Sequence, residues 1–174
     1  MTAGAYTAPA TSYIGPSLFV KGQFNKPFLL MTATEIQFLL AEAKQRYPAV
    51  NFPGTAQSYY EEGVKQSFRL LGASAAGATA LLTSGKVNSD WSASPNKLEA
   101  IATQKWIALA NFSGLEAWTE YRRTNLPVTP QSPSVTDSKR PLRLFYPNTE
   151  SGSNVNVSAV TIDVFSTRIF WDVD

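Results

Sequence analysis

The sequence predicts a mostly α-helical fold of helix pairs joined by long irregular loops, and three observations carry that expectation. Apolar residues recur at spacings of three and four in three separate segments, the period of a helix with one buried face. Capping residues stand where these segments begin, Thr32 with Glu35 three residues on being the clearest example. Proline and glycine punctuate the stretches between them, notably Pro48, Pro53, Gly54 and Gly72.

Residues 1–30, rich in Ala, Thr, Ser, Gly and Tyr, show no helical period and read as an irregular or extended lead-in. A first helix is expected over about Ala33 to Arg46, with Ile36, Leu39, Leu40, Ala43 and Tyr47 on its apolar face. In a second, Tyr60, Val64, Phe68 and Leu71 recur until Gly72 stops it. Ile36 and Leu39 on the first helix, with Ala56, Tyr60 and Gly63 on the second, echo the small-and-aromatic spacing of a tetratricopeptide repeat. One such pair cannot bury both of its faces, so it implies further packing partners.

A short helix is expected over Ala75 to Leu82. Ser94 as cap and Pro95 at the first helical position then open a third long helix with Leu98, Ile101, Ala102, Trp106 and Leu109 on its stripe. Gly114 separates it from a helix that starts near Leu115 and ends before Pro127, and so short a connection makes the two antiparallel. Beyond it lie a proline-rich loop, an extended Leu142 to Pro147, a polar turn over Asn148 to Asn154 and a β-branched run before an aromatic tail. We expect one domain over 1–174: the lead-in at 1–30, a helical core at 31–124 and a loop-rich part at 125–174.

Composition narrows the function. The formal net charge is only +2, from 15 basic and 13 acidic residues, which is too small and dispersed for nucleic-acid binding. The absence of histidine and cysteine excludes Ser-His-Asp and Cys-His nucleophiles, histidine-bound zinc and thiolate metal sites. No phosphate-cradling glycine loop or calcium-loop spacing is present, so no cofactor or metal is expected. No apolar run approaches the roughly 20 residues that span a bilayer, and the N-terminus does not read as an export signal.

Two constellations could carry chemistry. On the helix after Gly114, Glu116 and Glu120 stand one turn apart, as do Trp118 and Arg122, and Arg123 follows Glu120 by three. An acid and base pair, as in glycosidases, needs two carboxylates on opposite sides of a bond with separated pKa values. Carboxylates one turn apart point the same way and arginines keep both ionised, so an ion-pair network with Arg122 stacked on Trp118 is the better reading. The second is Trp91 beside Asp90 in a polar stretch, where an aromatic face flanked by hydrogen-bonding groups could stack on a sugar ring. Its plainer role is to anchor the loop. Tyr13 is a further ligand candidate, with Tyr6 and Phe112 weaker ones.

Gln104-Lys105-Trp106, Glu116-Ala117-Trp118-x-Glu120-x-Arg122-Arg123-Thr124, Arg143-x-x-Tyr146-Pro147-x-x-Glu150 with Asn154, and the Phe170-Trp171-Asp172 ending together resemble the C-terminal portion of SusD/RagB-family proteins. The resemblance runs over about residues 30 to 172 and includes an Asn-x-x-Trp-x-x-Ser segment at Asn88, Trp91 and Ser94. It implies that the signature residues support the fold and are not catalytic.

It also implies a Bacteroidetes outer-membrane lipoprotein at the cell surface that captures oligosaccharide or polysaccharide nutrients beside a SusC-like TonB-dependent transporter. The lipid anchor would sit on an N-terminal part that this chain, as a truncated reading frame, lacks. The rival readings are a helical-repeat module that binds a protein and, further off, a carbohydrate-active enzyme.

Overall fold

The computed structural model describes residue 25 and residues 29–110, 112–130, 140–158 and 161–172. Among the described residues the chain forms seven helices and no strand: α1 (Ala33–Arg46), α2 (Ala56–Leu70), α3 (Ala75–Leu82), α4 (Lys97–Leu109), α5 (Gly114–Thr124), α6 (Asn148–Ser153) and α7 (Val155–Ser158). The mostly helical expectation holds, and α1 and α3 have the expected bounds. Described residues up to Thr129 form one compact unit and those from Pro130 onward a second.

Local chemistry explains where the helices start. Thr32 Oγ1 accepts the Glu35 N–H at 3.1 Å and so caps α1. Helix α2 begins earlier than its apolar stripe suggested, because Thr55 and Ser58 form a reciprocal capping box in which serine replaces the usual Glu or Gln. Ser94 does not cap α4 and Pro95 is not its first residue. Asn96 is the cap, its side chain accepting from Glu99 N at 3.1 Å. Gly114 is the first residue of α5 rather than the break before it, and Asn125, at φ +54°, closes α5 in the left-handed conformation. The expected polar turn after Pro147 is instead the short helix α6. With six residues and no apolar period it left no pattern to read.

The core of the larger unit is built where α1, α2 and α4 meet. Phe38 and Ala41, Tyr60 and Val64, and Ala100 and Ile101 are buried together, with Phe68, Leu81, Leu82 and Trp91 packed around them. Phe38 and Tyr60 meet edge to face at 6.2 Å, a favoured aromatic geometry. Gly63 lets the two helices close, because a Cβ there would lie 2.8 Å from Phe38 Cε1. Replacing it should therefore wedge the core apart. We expect Gly63→Ala to lose about 1–2 kcal/mol, overpacking outweighing the gain in helix propensity, and urea unfolding would reveal it. An unchanged midpoint would mean that Phe38 has room to move.

The predicted helix faces are partly wrong in one consistent way. On α1 the buried residues are Thr34, Glu35, Phe38, Ala41 and Glu42, whereas Ile36 and Tyr47 are exposed. On α4, Ile101 and Leu109 are buried as expected, but Gln104 and Lys105 are buried with them and Trp106 is 43% exposed. In both helices the face turns inward to place charged and amide groups inside the unit, which hydrophobic periodicity cannot register.

Candidate functional site

Three of the signature residues meet Glu42 in a charge network that joins α1, α4 and α5. Lys105 is 3% exposed, and its Nζ lies 3.0 Å from Glu120 Oε2. Arg123 donates to that same Oε2 at 2.8 Å and to Glu42 Oε2 at 2.7 Å, while Arg46 donates to Glu42 Oε1 at 2.6 Å. Alternating signs let each buried charge see an opposite one, the condition for tolerating ions in a low-dielectric place. Sequence reasoning placed Lys105, Glu120 and Arg123 in the scaffold but missed Glu42. Its only signal was a carboxylate four residues before Arg46 on a helix whose inner face was misread.

The pKa directions follow the same geometry. Burial pushes Glu42 and Glu120 up, yet hydrogen bonds from Arg123 and Arg46 to the first, and from Arg123 and Lys105 to the second, bring both below the ordinary glutamate value. Glu35 goes the other way, because burial outweighs the attraction of Lys105 and nearby Glu116 and Glu120 add repulsion. Depressed carboxylates contribute stability that is present above their unfolded pKa and is lost as pH falls through the folded one. The melting temperature should therefore drop as pH is lowered from 5 towards 3, and Glu42→Gln should flatten that acid limb. An equally steep limb in the variant would place the acid sensitivity elsewhere.

The loop from Gly85 to Ser94 is held by its own polar groups. Asn88 adopts φ +62°, and its N–H donates to Ser94 Oγ at 2.9 Å, while Ser94 Oγ donates to Asp90 O at 2.6 Å. Gln104 Nε2 reaches Asn88 O at 2.7 Å, and Tyr60 Oη donates to Ser89 O at 2.8 Å. Ser94 was expected to cap a helix; it is a fully buried strut instead. Ser94→Ala would strand the Asn88 N–H and should cost about 2 kcal/mol, read as a lower urea midpoint. A change within experimental error would mean that the loop re-forms its bonds.

Trp91 and Asp90 occupy this loop. The Trp91 ring is half-buried, 5.2 Å from the Tyr60 ring centroid, with the Lys97 ammonium 5.1 Å from its own centroid and bonded to the Trp91 carbonyl. Asp90 accepts from Gly85 N at 3.1 Å and from Ser92 N at 2.9 Å, and these backbone bonds hold its carboxyl below the ordinary value. Tyr13 and Tyr6 lie outside the described residues. Glu116 is exposed, Trp118 and Arg122 are half-buried, and Phe112 is half-buried at the turn before α5.

Between α4 and α5 lies a recess of about 220 Å³, open mouth included, lined by Lys105, Trp106, Leu109, Ala117, Glu120 and Leu126 among others. Its enclosed part is only about 10 Å³, room for about one water molecule and far short of a small-ligand pocket. In the second unit, Arg143 lies 5.2 Å from the Tyr146 ring centroid, Phe170 and Trp171 meet edge to face at 4.5 Å, and Arg168 donates to Asp172 Oδ1 at 2.7 Å. Among the described residues no group of three or more His, Cys, Asp or Glu side chains could hold a metal ion, and no helix is long and apolar enough to cross a membrane.

Helix pairs closed by a buried charge network define a helical scaffold. The family described as "Starch-binding associating with outer membrane" matches residues 1–147, and the chain belongs to this SusD-like family. No curated protein matches the chain.

Among solved structures, a chitin-binding SusD homologue from Flavobacterium johnsoniae is 32% identical with a TM-score of 0.65, covering 83% of this chain and 36% of its own. A SusD homologue from Bacteroides thetaiotaomicron is 32% identical (TM-score 0.64, 84% of this chain and 39% of its own). One from Bacteroides uniformis is 30% identical (TM-score 0.65, 86% and 38%). The chain thus spans little more than a third of the length of these relatives.

Proposed function

We propose that this chain is the C-terminal portion of a non-catalytic surface protein that captures oligosaccharide or polysaccharide nutrients at the outer membrane and passes them to a SusC-like TonB-dependent transporter. One observation carries the reading: the fold matches a chitin-binding SusD homologue at a TM-score of 0.65 and 32% identity. The family's description as starch-binding and outer-membrane-associated supports the ligand class and the location. The lipid anchor belongs, on this reading, to the N-terminal part of the longer protein.

The site chemistry favours binding over catalysis. Glu120 is held ionised by Lys105 and Arg123, so it cannot serve as a general acid near neutral pH. Trp91, Asp90 and Tyr13 remain the proposed ligand contacts. Of these, Trp91 offers a sugar only the part of its ring left uncovered by Tyr60 and Lys97. The signature residues Gln104, Lys105, Trp106, Glu116, Trp118, Glu120, Arg122, Arg123, Tyr146, Trp171 and Asp172 are proposed as scaffold.

Calorimetry with a panel of chitin and starch oligosaccharides, on this chain and on any longer protein that contains it, tests the proposal. Saturable binding by the longer protein is expected. Release of reducing ends from a polysaccharide, lost in Glu116→Gln, would replace binding with catalysis.

A further inference from the structure

Helix α5 is held to the larger unit by charge more than by burial. Ala117 is its one buried residue, Trp118 and Tyr121 are half-buried, and Leu115 is 68% exposed. Among the helices, only α4 packs against its backbone, and that contact leaves the recess between Trp106 and Leu109 on one side and Ala117 on the other. Ser113 gives α5 no side-chain cap, the bond that Thr32, Thr55 and Asn96 supply to α1, α2 and α4. What reaches across instead are ion pairs, from Arg123 to Glu42 on α1 and from Glu120 to Lys105 on α4.

We propose that α5 is an electrostatically latched flap that opens from α1 and α4 as a unit while the core of Phe38, Tyr60 and Ile101 stays closed. An element with little buried apolar surface lies at the low end of the stability range within a domain and opens locally before the whole unfolds. The charges at the junction set how tightly it shuts. Glu42 is held by Arg46 of α1 and Arg123 of α5, and Glu120 by Lys105 of α4 and Arg123. Glu35 on α1 is buried and has no ion-pair partner among the described residues; Lys105 attracts it at longer range, and Glu116 and Glu120 on α5 repel it. Glu35 therefore works against the latch that Glu42 and Glu120 make. Lowering the pH first protonates Glu35, which burial holds above the ordinary glutamate value, and so removes the repulsion. Stronger acid protonates Glu42 and Glu120, which their cations hold below that value, and breaks the latch. The flap is thus tightest in mild acid.

Hydrogen exchange of this chain tests the flap, with protection factors for α5 compared with those for α2 so that the intrinsic pH dependence of exchange drops out. Amides of α5 should be less protected than those of α2. The gap should widen in about 1 M salt, which screens the ion pairs, and narrow between about pH 7 and pH 5. Arg123→Gln should widen it by about fivefold and Glu35→Gln should narrow it at neutral pH. Equal protection of the two helices in the unsubstituted chain would overturn the flap. A gap that neither salt nor Arg123→Gln alters would overturn the electrostatic latch, and so would an Arg123→Gln variant in which both helices lose protection together. The salt and pH series need no substitution, so the inference can fail even where a variant does not fold.

Discussion

Removing the Glu120 carboxylate should destabilise the larger unit by about 3 kcal/mol, because Glu120→Ala takes the ion-pair contact from the buried Lys105 ammonium and leaves it only the longer-range attraction of Glu35. Lys105 is almost wholly enclosed and, among the described residues, Glu120 is the one carboxylate in ion-pair contact with it, whereas Arg123 keeps Glu42 as a second partner. The attraction between the ions is not what sets this figure; the stranded charge is. The double variant Lys105→Met with Glu120→Leu should consequently recover most of the loss. Urea unfolding at pH 7 decides it: a single variant within 1 kcal/mol of the parent, or a double variant no better than the single, would mean that Lys105 reaches water when its partner is gone.

A loss of about 3–5 kcal/mol is expected for Tyr60→Ala, the most damaging truncation available in the core. Tyr60 is fully buried, touches Phe38 and Trp91 with its ring and donates its hydroxyl proton to Ser89 O, so one side chain joins α1, α2 and the loop before α4. Burial, with the nearby Asp90 and Glu61 charges, keeps its pKa well above the ordinary value, so it stays a donor. Tyr60→Phe separates the two contributions. It keeps the packing but leaves the Ser89 carbonyl unpaired, and should cost only about 1 kcal/mol. Equal losses in the two variants would assign the whole effect to the hydrogen bond.

Both predictions act on scaffold, and that bears on how ligand binding should be pursued. Trp91 rests on Tyr60, so a Tyr60 variant that weakens glycan binding could do so simply by displacing Trp91. Affinity needs to be read beside the melting temperature. Substitutions at Trp118 or Arg122 should likewise lower stability before they alter affinity.

Periodicity and capping located α1 and α3 and came within a few residues on α2, α4 and α5, because those signals are local and each helix carries its own. The signature around Gln104 to Thr124 pointed to the right family, and Gly63 was legible as a small position in a repeat-like spacing, though not as the residue that Phe38 packs against. Trp91, offered by the sequence both as a loop anchor and as a ligand contact, packs beside the buried core. The failures share a cause. Ser94 looked like a cap because it precedes a proline, yet its hydroxyl is taken by Asn88 and Asp90, a competition that exists only once the loop has folded.

What the sequence by itself determined is therefore the helical class, the approximate positions of α1 to α5 and the family, all of which follow from residue types and their spacing along the chain. Which faces turn inward was decided only by tertiary structure. Glu35, Glu42, Gln104 and Lys105 look like solvent-facing residues in a linear reading, and Trp106 and Ile36 look like core. Their places exchange because Arg123 and Glu120, far along the chain, supply the opposite charges that make burial of Glu42 and Lys105 affordable.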